Sequence, residues 1–353
     1  MLGWGLAGIG IANQEASHKS IWRTTLAVNG GMVLFLILSF AFYVAQDIAL
    51  PISRASFPAL AAGALALLMS WASFQVWRGP KRVWNLTGIL TAGALVLIPI
   101  ICWVFWGTGS EGQDPTGFPV RVMSYNIHSA YNVAGGQDLE AIASVIEDSG
   151  ADIIGLQEVA RTRLMDGGAD MPTWLAKRLE MELVFAGTEE PIWGNAILSR
   201  YPILESGYQA LTREDSLIGR GYLWAKIDVG EDQHLLVVVT HLHHLHQRVE
   251  DDFVRLAQIP EILDYLIDKS QFVLLGDFNA EPDSPEIGLI YEAGVVDAWL
   301  EAGEGPGFTV DSNNPAKRID YLWHSPDLSA TEIAVIQTTA SDHLPVLGVY
   351  KRR

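Results

Sequence analysis

Asp277 and Asn279 carry the clearest chemistry in the chain, in the stretch Phe272-Val273-Leu274-Leu275-Gly276-Asp277-Phe278-Asn279. The apolar run Phe272 to Leu275 reads as a short buried strand closed by Gly276. In an extended backbone, residues two apart project to the same side, which aims the carboxylate and the amide at one point. Oxygen donors of this kind suit a hard cation such as Mg²⁺, and a phosphate can share that cation. The same residues also suit an Asx-type turn at a strand end. This stretch alone leaves both readings open.

The pattern recurs along the chain. Val120 to Asn126 alternates like a strand and ends in Asn126. Asp152 to Glu158 is a short apolar strand ending in a polar pair, and Leu235 to Thr240 is an apolar run followed by His241. Asp342 and His343 stand together before Leu344. Each of these alone is an ordinary strand end. Five together are what an active site built on the ends of core strands looks like.

The elements that position them follow from periodicity. Apolar Leu139, Ile142, Val145 and Ile146 predict a helix over Asp138 to Asp148, and a second short amphipathic helix is expected over Trp174 to Leu183. Val249 to Ile267 reads as a helix kinked or interrupted at Pro260. Strands are expected at Gly194 to Arg200, Leu223 to Asp228, Ile319 to Trp323 and Glu332 to Gln337, and a loop at Asp311 to Lys317.

The first third of the 353 residues is of a different kind. Leu26 to Val44, Ala55 to Trp77 and Val83 to Trp106 hold no charged residue. Each is long enough to cross a hydrocarbon core of about 30 Å as a helix. Lys19 and Arg23 precede the first, and Arg78, Lys81 and Arg82 separate the second from the third. By the excess of basic residues in cytoplasmic loops, the N-terminus is expected inside and everything after Trp106 outside the cytoplasm. The expected organisation is a cytoplasmic segment over 1–25, a three-helix anchor over 26–106, a Gly-rich linker over 107–117 and one domain over 118–353. Residues 107–353 hold 17 Lys+Arg against 39 Asp+Glu, a net charge of −22. Such a surface repels polyanions, which disfavours nucleic acid as a partner. Cys102 is the only cysteine, so neither a disulfide framework nor a thiolate site is expected in the domain.

The blocks Ser124-Tyr125-Asn126-Ile127, Leu156-Gln157-Glu158, Thr240-His241-Leu242, Gly276-Asp277-Phe278-Asn279, Ile319-Asp320-Tyr321 and Ser341-Asp342-His343 follow one another across residues 120–350. In combination they resemble the endonuclease/exonuclease/phosphatase superfamily, which contains DNase I-like nucleases, inositol polyphosphate 5-phosphatases and neutral sphingomyelinases. A looser resemblance, around Gly194 to Ile203, is to the C-terminal domain of multi-pass membrane proteins linked to lipid remodelling of GPI anchors. The first resemblance implies an α/β fold, a four-layer α/β/β/α sandwich of the DNase I type, here preceded by three transmembrane helices. It also implies a role for each matching residue. Glu158 would be the principal carboxylate on Mg²⁺ (or Mn²⁺), completed by Asn126 and Asp342. His343 would face the scissile phosphate, oriented by Asp320. Asp277 would orient or deprotonate the attacking water, Asn279 would hold a phosphate oxygen, and His241 would stabilise the charged state or protonate the leaving oxygen. Beside these, Arg220 is a candidate for bidentate phosphate contact, and Asn195 and His244 are candidates for lining the substrate groove.

The expected activity is metal-dependent hydrolysis of a phosphoester by a membrane-embedded protein, with a lipid or a small phosphoester as substrate. An extracytoplasmic nuclease shares the same catalytic core, and a catalytically silent binding module is the alternative of another class. The oligomeric state is not legible in the sequence.

Overall fold

A computed structural model of the chain describes residues 29–30, 33, 112–188, 191–213, 218–244 and 251–353. Apart from residues 29–30 and 33, the three expected spans, the N-terminal segment and the first half of the expected linker lie outside the described residues. Among the described residues, no helix is long and apolar enough to cross a membrane.

The domain is a mixed α/β sandwich of two six-stranded sheets. The first has the order β11-β12-β1-β2-β4-β3, with β1 Val120–Asn126, β2 Ile153–Ala160, β3 Glu182–Gly187, β4 Trp193–Ser199, β11 Leu328–Val335 and β12 Val346–Arg352. The second has the order β5-β6-β7-β8-β10-β9, with β5 Ile203–Ala210, β6 Gly221–Gly230, β7 Gln233–His241, β8 Phe272–Asp277, β9 Val296–Asp297 and β10 Asp320–His324. Each sheet is built around one parallel pair, β1 with β2 and β7 with β8. A parallel pair needs a crossover, usually helical, and α1 Leu139–Ser149 and α3 Asp251–Leu266 supply the two.

The central strands are buried on both faces, which is why they read as near-continuous apolar runs. Val122, Ile153, Val237, Val239, Val273 and Leu275 face the other sheet in one shared core. The alternate residues face the helices. Met123, Tyr125 and Ile154 meet Ile142 and Ile146 of α1 and Leu175 of α2 Met171–Arg178. Leu274 and Phe272 meet Ile259 and Ile262 of α3 and Ile287 of α4 Pro285–Glu292. A fifth helix, α5, spans Ala298–Ala302.

Local signals account for the helix ends. The Asp138 side chain accepts from Ala141 N at the start of α1, and Gly150 closes it in a left-handed conformation. Helix α2 ends earlier than its periodicity predicts. Glu180 takes a positive φ of 55°, so Leu183 lies in β3 rather than on the helix. Helix α3 runs through Pro260 without interruption. Residues 112–117, expected as part of a free linker, are bonded to the domain: Gln113 N to Arg200 O at 2.6 Å and Gly117 N to Val229 O at 2.7 Å.

Candidate active site

The topology brings the named side chains to one end of the sandwich. In register, Asn126 pairs with Gln157 at the tip of one parallel pair, and His241 pairs with Asp277 at the tip of the other. Strand β10 runs antiparallel beside β8 and places Asp320 opposite Asp277. The sheets meet where Asn126 Nδ2 lies 3.0 Å from Asp277 Oδ2. Gly276 makes the exit of β8 possible. Its φ is +147°, and a Cβ there would collide with the Thr240 carbonyl, so no other residue fits without moving β7.

Asp277 is the hub. Its Oδ1 accepts from Asn279 N at 2.9 Å, which is an Asx-type turn, and Asn279 has φ +51°. The two readings of this stretch are therefore both present: the turn itself, not strand alternation, carries Asn279 into the site. Asn279 Nδ2 donates to Leu242 O at 3.2 Å. Oδ2 of Asp277 lies 3.4 Å from His241 Nε2 and 3.8 Å from His343 Nε2. Behind His343, Asp320 Oδ2 lies 2.9 Å from Nδ1. The buried carboxylate, two imidazoles and second carboxylate form one connected group.

Its electrostatics follow from burial and neighbours. Burial first, and then the charge of Asp320, push Asp277 up to about 7, against the pull of His343, the Asn126 amide and the Asn279 N–H. Burial pulls His343 down, yet Asp320, Asp277 and Asp342 together raise it to about 10. His343 is thus an imidazolium near neutral pH, with Nδ1–H donating to Asp320. Burial, then the charge of Arg220 and the neighbouring histidines, hold His241 well below the ordinary imidazole range, so it is a neutral ring.

Glu158 reaches the site by a different device. Between Leu156 and Val159 the register of β2 against β4 shifts by one residue, a β-bulge, and Glu158 within it has φ +56°. Bulges re-aim side chains in this way next to active sites. Glu158 lies 3.4 Å from Asn126 Nδ2 and lines the cavity. Asn126 presents its amide nitrogen to Glu158 and Asp277, while its Oδ1 accepts from His128 N at 3.1 Å. Asn126, expected beside the metal, stands between the Glu158 and Asp277 carboxylates. Asp342 has a side chain 43% exposed, with His128 Nδ1 3.4 Å away, so it sits at the rim.

The donor set fits a hard cation. Glu158 and Asp342 offer carboxylate oxygens, and Asp320 Oδ1 is buried with no hydrogen-bond partner. Donor atoms of Asp277, Asp320 and His343 also lie within 4.8 Å of one another. In the structure His343 Nδ1 is taken up by Asp320 Oδ2 at 2.9 Å. That favours Glu158 as the metal carboxylate and leaves Asp320–His343 as an acid pair.

A cavity of about 390 Å³ opens at these groups, lined by Glu158, Asp277, Asn279, His241 and His343 together with Arg163, Trp193, Ile218, Arg220 and His244. Arg220 is 2% exposed and His244 Nδ1 lies 3.2 Å from its Nη2. His244 is held there by the Arg255 and Gln258 side chains of α3, which bond His243 O and N at 3.2 and 3.1 Å. Asn195 is buried below the cavity wall and reaches Gly221 O at 3.4 Å, so it spans the sheets and does not line the cavity. The expected loop at Asp311 to Lys317 does border the site: Ser312 N donates to Asp342 O at 2.8 Å, and just before the loop Val310 bridges to His343 and Thr309 Oγ1 accepts from Asp320 N at 3.3 Å. Arg163 and Trp193 carry no motif of their own; only their place in the fold reveals them.

A sequence profile of the endonuclease/exonuclease/phosphatase family matches residues 123–343. The chain belongs to this family. Solved structures agree in fold. An endonuclease/exonuclease/phosphatase from Beutenbergia cavernae is 24% identical, with a TM-score of 0.56 over 66% of this chain and 71% of that one. A mannosyl-6-phosphatase from Bacteroides thetaiotaomicron is 20% identical, with a TM-score of 0.54 over 66% and 99%. The human Nocturnin catalytic domain, solved with a bound sulfate, is 22% identical, with a TM-score of 0.53 over 68% and 97%. At these identities the likeness is one of fold.

Proposed function

We propose that this family member is a membrane-anchored hydrolase of phosphoester bonds that requires Mg²⁺ or Mn²⁺ and acts outside the cytoplasm on a lipid headgroup or a small phosphoester. The observation that carries the catalytic part is the buried Asp277 carboxylate between two imidazoles, with Asp320 behind one of them. Glu158 and Asp342 would hold the cation, which would supply charge neutralisation on phosphate oxygens when bound. Asp277, raised to about 7, is matched to accept a proton from water near neutral pH. Asn279 and the His343 imidazolium face the same cavity and stabilise negative charge on a phosphate oxygen. His241, a neutral ring beside Asp277, is placed to donate a hydrogen bond to an oxygen on the same phosphate.

The three uncharged stretches before residue 107 and the basic residues flanking them support the anchor and its orientation. The net charge of −22 on the remainder weighs against a nucleic-acid polyanion. The test is turnover by the full chain in detergent with Mg²⁺, on a panel of inositol phosphates, phospholipids and nucleic acids. Hydrolysis of a lipid or small phosphoester, abolished in Asp277→Asn, is the expected result. No turnover on the whole panel would overturn the reading in favour of a silent binding module.

A further inference from the structure

Asp320 and His343 come from separate parts of the chain, and neither sits inside a strand. Asp320 is the first residue of β10, and His343 precedes β12. The two-residue segment of Thr309 and Val310 lies between them. Val310 bridges to Lys317 on one side and to His343 on the other. Thr309 reaches both partners. Its Oγ1 accepts from Ile319 N and from Asp320 N, each at 3.3 Å. Its carbonyl accepts from Leu344 N at 2.7 Å, one residue past His343. Its own N–H donates to Lys317 O at 2.7 Å. Thr309 is therefore pinned through side chain and backbone together. It is fully buried and does not line the cavity. A β-branched side chain is stiff at χ1, which holds the hydroxyl toward the start of β10. On the far side of that strand end, Ile319 O accepts from Phe278 N at 2.8 Å, next to Asp277.

We propose that Thr309 is a positioning residue for the Asp320–His343 pair. Its hydroxyl holds the Asp320 backbone and its carbonyl holds the residue after His343, so one side chain and one peptide set the distance between carboxylate and imidazole. Thr309 acts through the pair and not on the substrate. Its effect on turnover rests on the reading of the site as a phosphoester hydrolase, whereas its effect on the pair does not.

Two variants separate positioning from packing. Thr309→Val keeps the branched shape and loses the hydroxyl; Thr309→Ser keeps the hydroxyl and loses a methyl group. With bis(p-nitrophenyl) phosphate and Mg²⁺, Thr309→Val should lower kcat by about tenfold, the size of one hydrogen bond, with KM little changed. Thr309→Ser should keep kcat near the parent value although it melts at a lower temperature, because a buried methyl is gone. A packing role alone would leave kcat per folded molecule at the parent value in both variants, and melting curves supply the folded fraction. The second readout needs no turnover. An imidazole N–H in a charge-assisted bond to a carboxylate gives a far-downfield proton resonance. It is recorded on the full chain in detergent with ¹⁵N-labelled histidine and assigned by its loss in His343→Ala. The parent chain should show this resonance, Thr309→Ser should keep it, and Thr309→Val should move it upfield or broaden it through exchange with water. Its absence from the parent chain, or an unchanged resonance in Thr309→Val, overturns the proposal. A resonance that responds as expected in a chain that turns over no phosphoester keeps the positioning role and refutes the hydrolase reading. Turnover that is the same in Thr309→Val as in the parent chain refutes the positioning role alone.

Discussion

Asp320→Asn tests whether His343 works as a cation. His343 Nδ1 lies 2.9 Å from Asp320 Oδ2, and the ring is raised from 6.5 to about 10 although burial opposes this. That difference is a preference for the imidazolium of roughly 5 kcal/mol, shared among three carboxylates with Asp320 the largest contributor. Asparagine keeps the shape and loses the charge. Burial then drives His343 toward the neutral ring, and the site lacks its cation at pH 8. Asp277 responds to the same change, since after burial it is Asp320 that raises it to about 7. Asp277 acts ionised, so activity of the parent chain should rise through about 7; His343 acts protonated, so activity should fall through about 10. In Asp320→Asn both limbs of this bell move to lower pH, because one negative charge had stabilised the proton on both groups. At pH 8, kcat should fall by about 10²- to 10³-fold, the usual size for one oxyanion-stabilising group, with KM little changed. The assay is initial rate on a chromogenic phosphodiester with Mg²⁺ between pH 5 and 10.5, for the two single variants and Asp320→Asn/His343→Ala. Groups that act as a unit are non-additive, so the double variant should be little worse than His343→Ala. Strictly additive losses, or an alkaline limb that stays at about 10, would refute the dyad.

Glu158→Gln removes one charged ligand oxygen, so activity should drop and excess Mg²⁺ should restore it only in part; full activity of the parent chain in EDTA would sink the metal-dependent mechanism. A reporter fused after Arg353 should be active only outside the cytoplasm, and a cytoplasmic signal would mean that the spans or their orientation are misread. Arg255 and Glu286 form a buried pair at 2.6 Å, with side chains 3% and 2% exposed. Glu286→Gln removes the carboxylate charge from this buried pair and should lower stability by roughly 3–5 kcal/mol in denaturant unfolding; a loss under about 1 kcal/mol would show that the pair contributes little to the fold.

Much of this site is legible in the sequence because its groups sit at the ends of strands whose apolar runs are plain. Asp277, His241 and Asn126 close β8, β7 and β1 as the runs predict. What the sequence does not show is geometry made by exceptions to regular backbone. Glu158 points into the cavity because of a bulge, and bulges leave no mark in hydrophobic alternation. His128, Ser129 and Ala130 all have positive φ, a turn that brings His128 N to 3.1 Å from Asn126 Oδ1. Nothing in those residue types announces such a turn. Asn195 misled for the opposite reason: a polar residue in a strand looks exposed to a ligand, whereas here it bridges two sheets. Arg163 lies in a loop whose fold is set by contacts with residues distant in sequence, such as the Gln137 amide on Asp166 O at 3.1 Å.

The division of labour between the two sheets follows from their topology. Asn126 and Glu158 belong to the first sheet, and His241, Asp277 and Asp320 to the second. His343 comes from the segment that leads into β12 of the first sheet, yet its carboxylate partner is on the second. The acid pair and the Asn126–Asp277 contact are therefore both stitches across the sandwich. Their distances depend on how closely the sheets approach. Gly155 in β2 is where that approach is decided: a Cβ there would overlap the Leu275 side chain and lie 2.6 Å from Val239 Cγ2, both on the opposite sheet. A side chain at 155 requires the Leu275 and Val239 side chains, or the strands that carry them, to shift. Whatever part of that shift the strands take up stretches the 2.9 Å His343–Asp320 contact and the 3.0 Å Asn126–Asp277 contact together. The packing of the core and the poise of the catalytic charges are thus one quantity, set by the spacing of the two sheets.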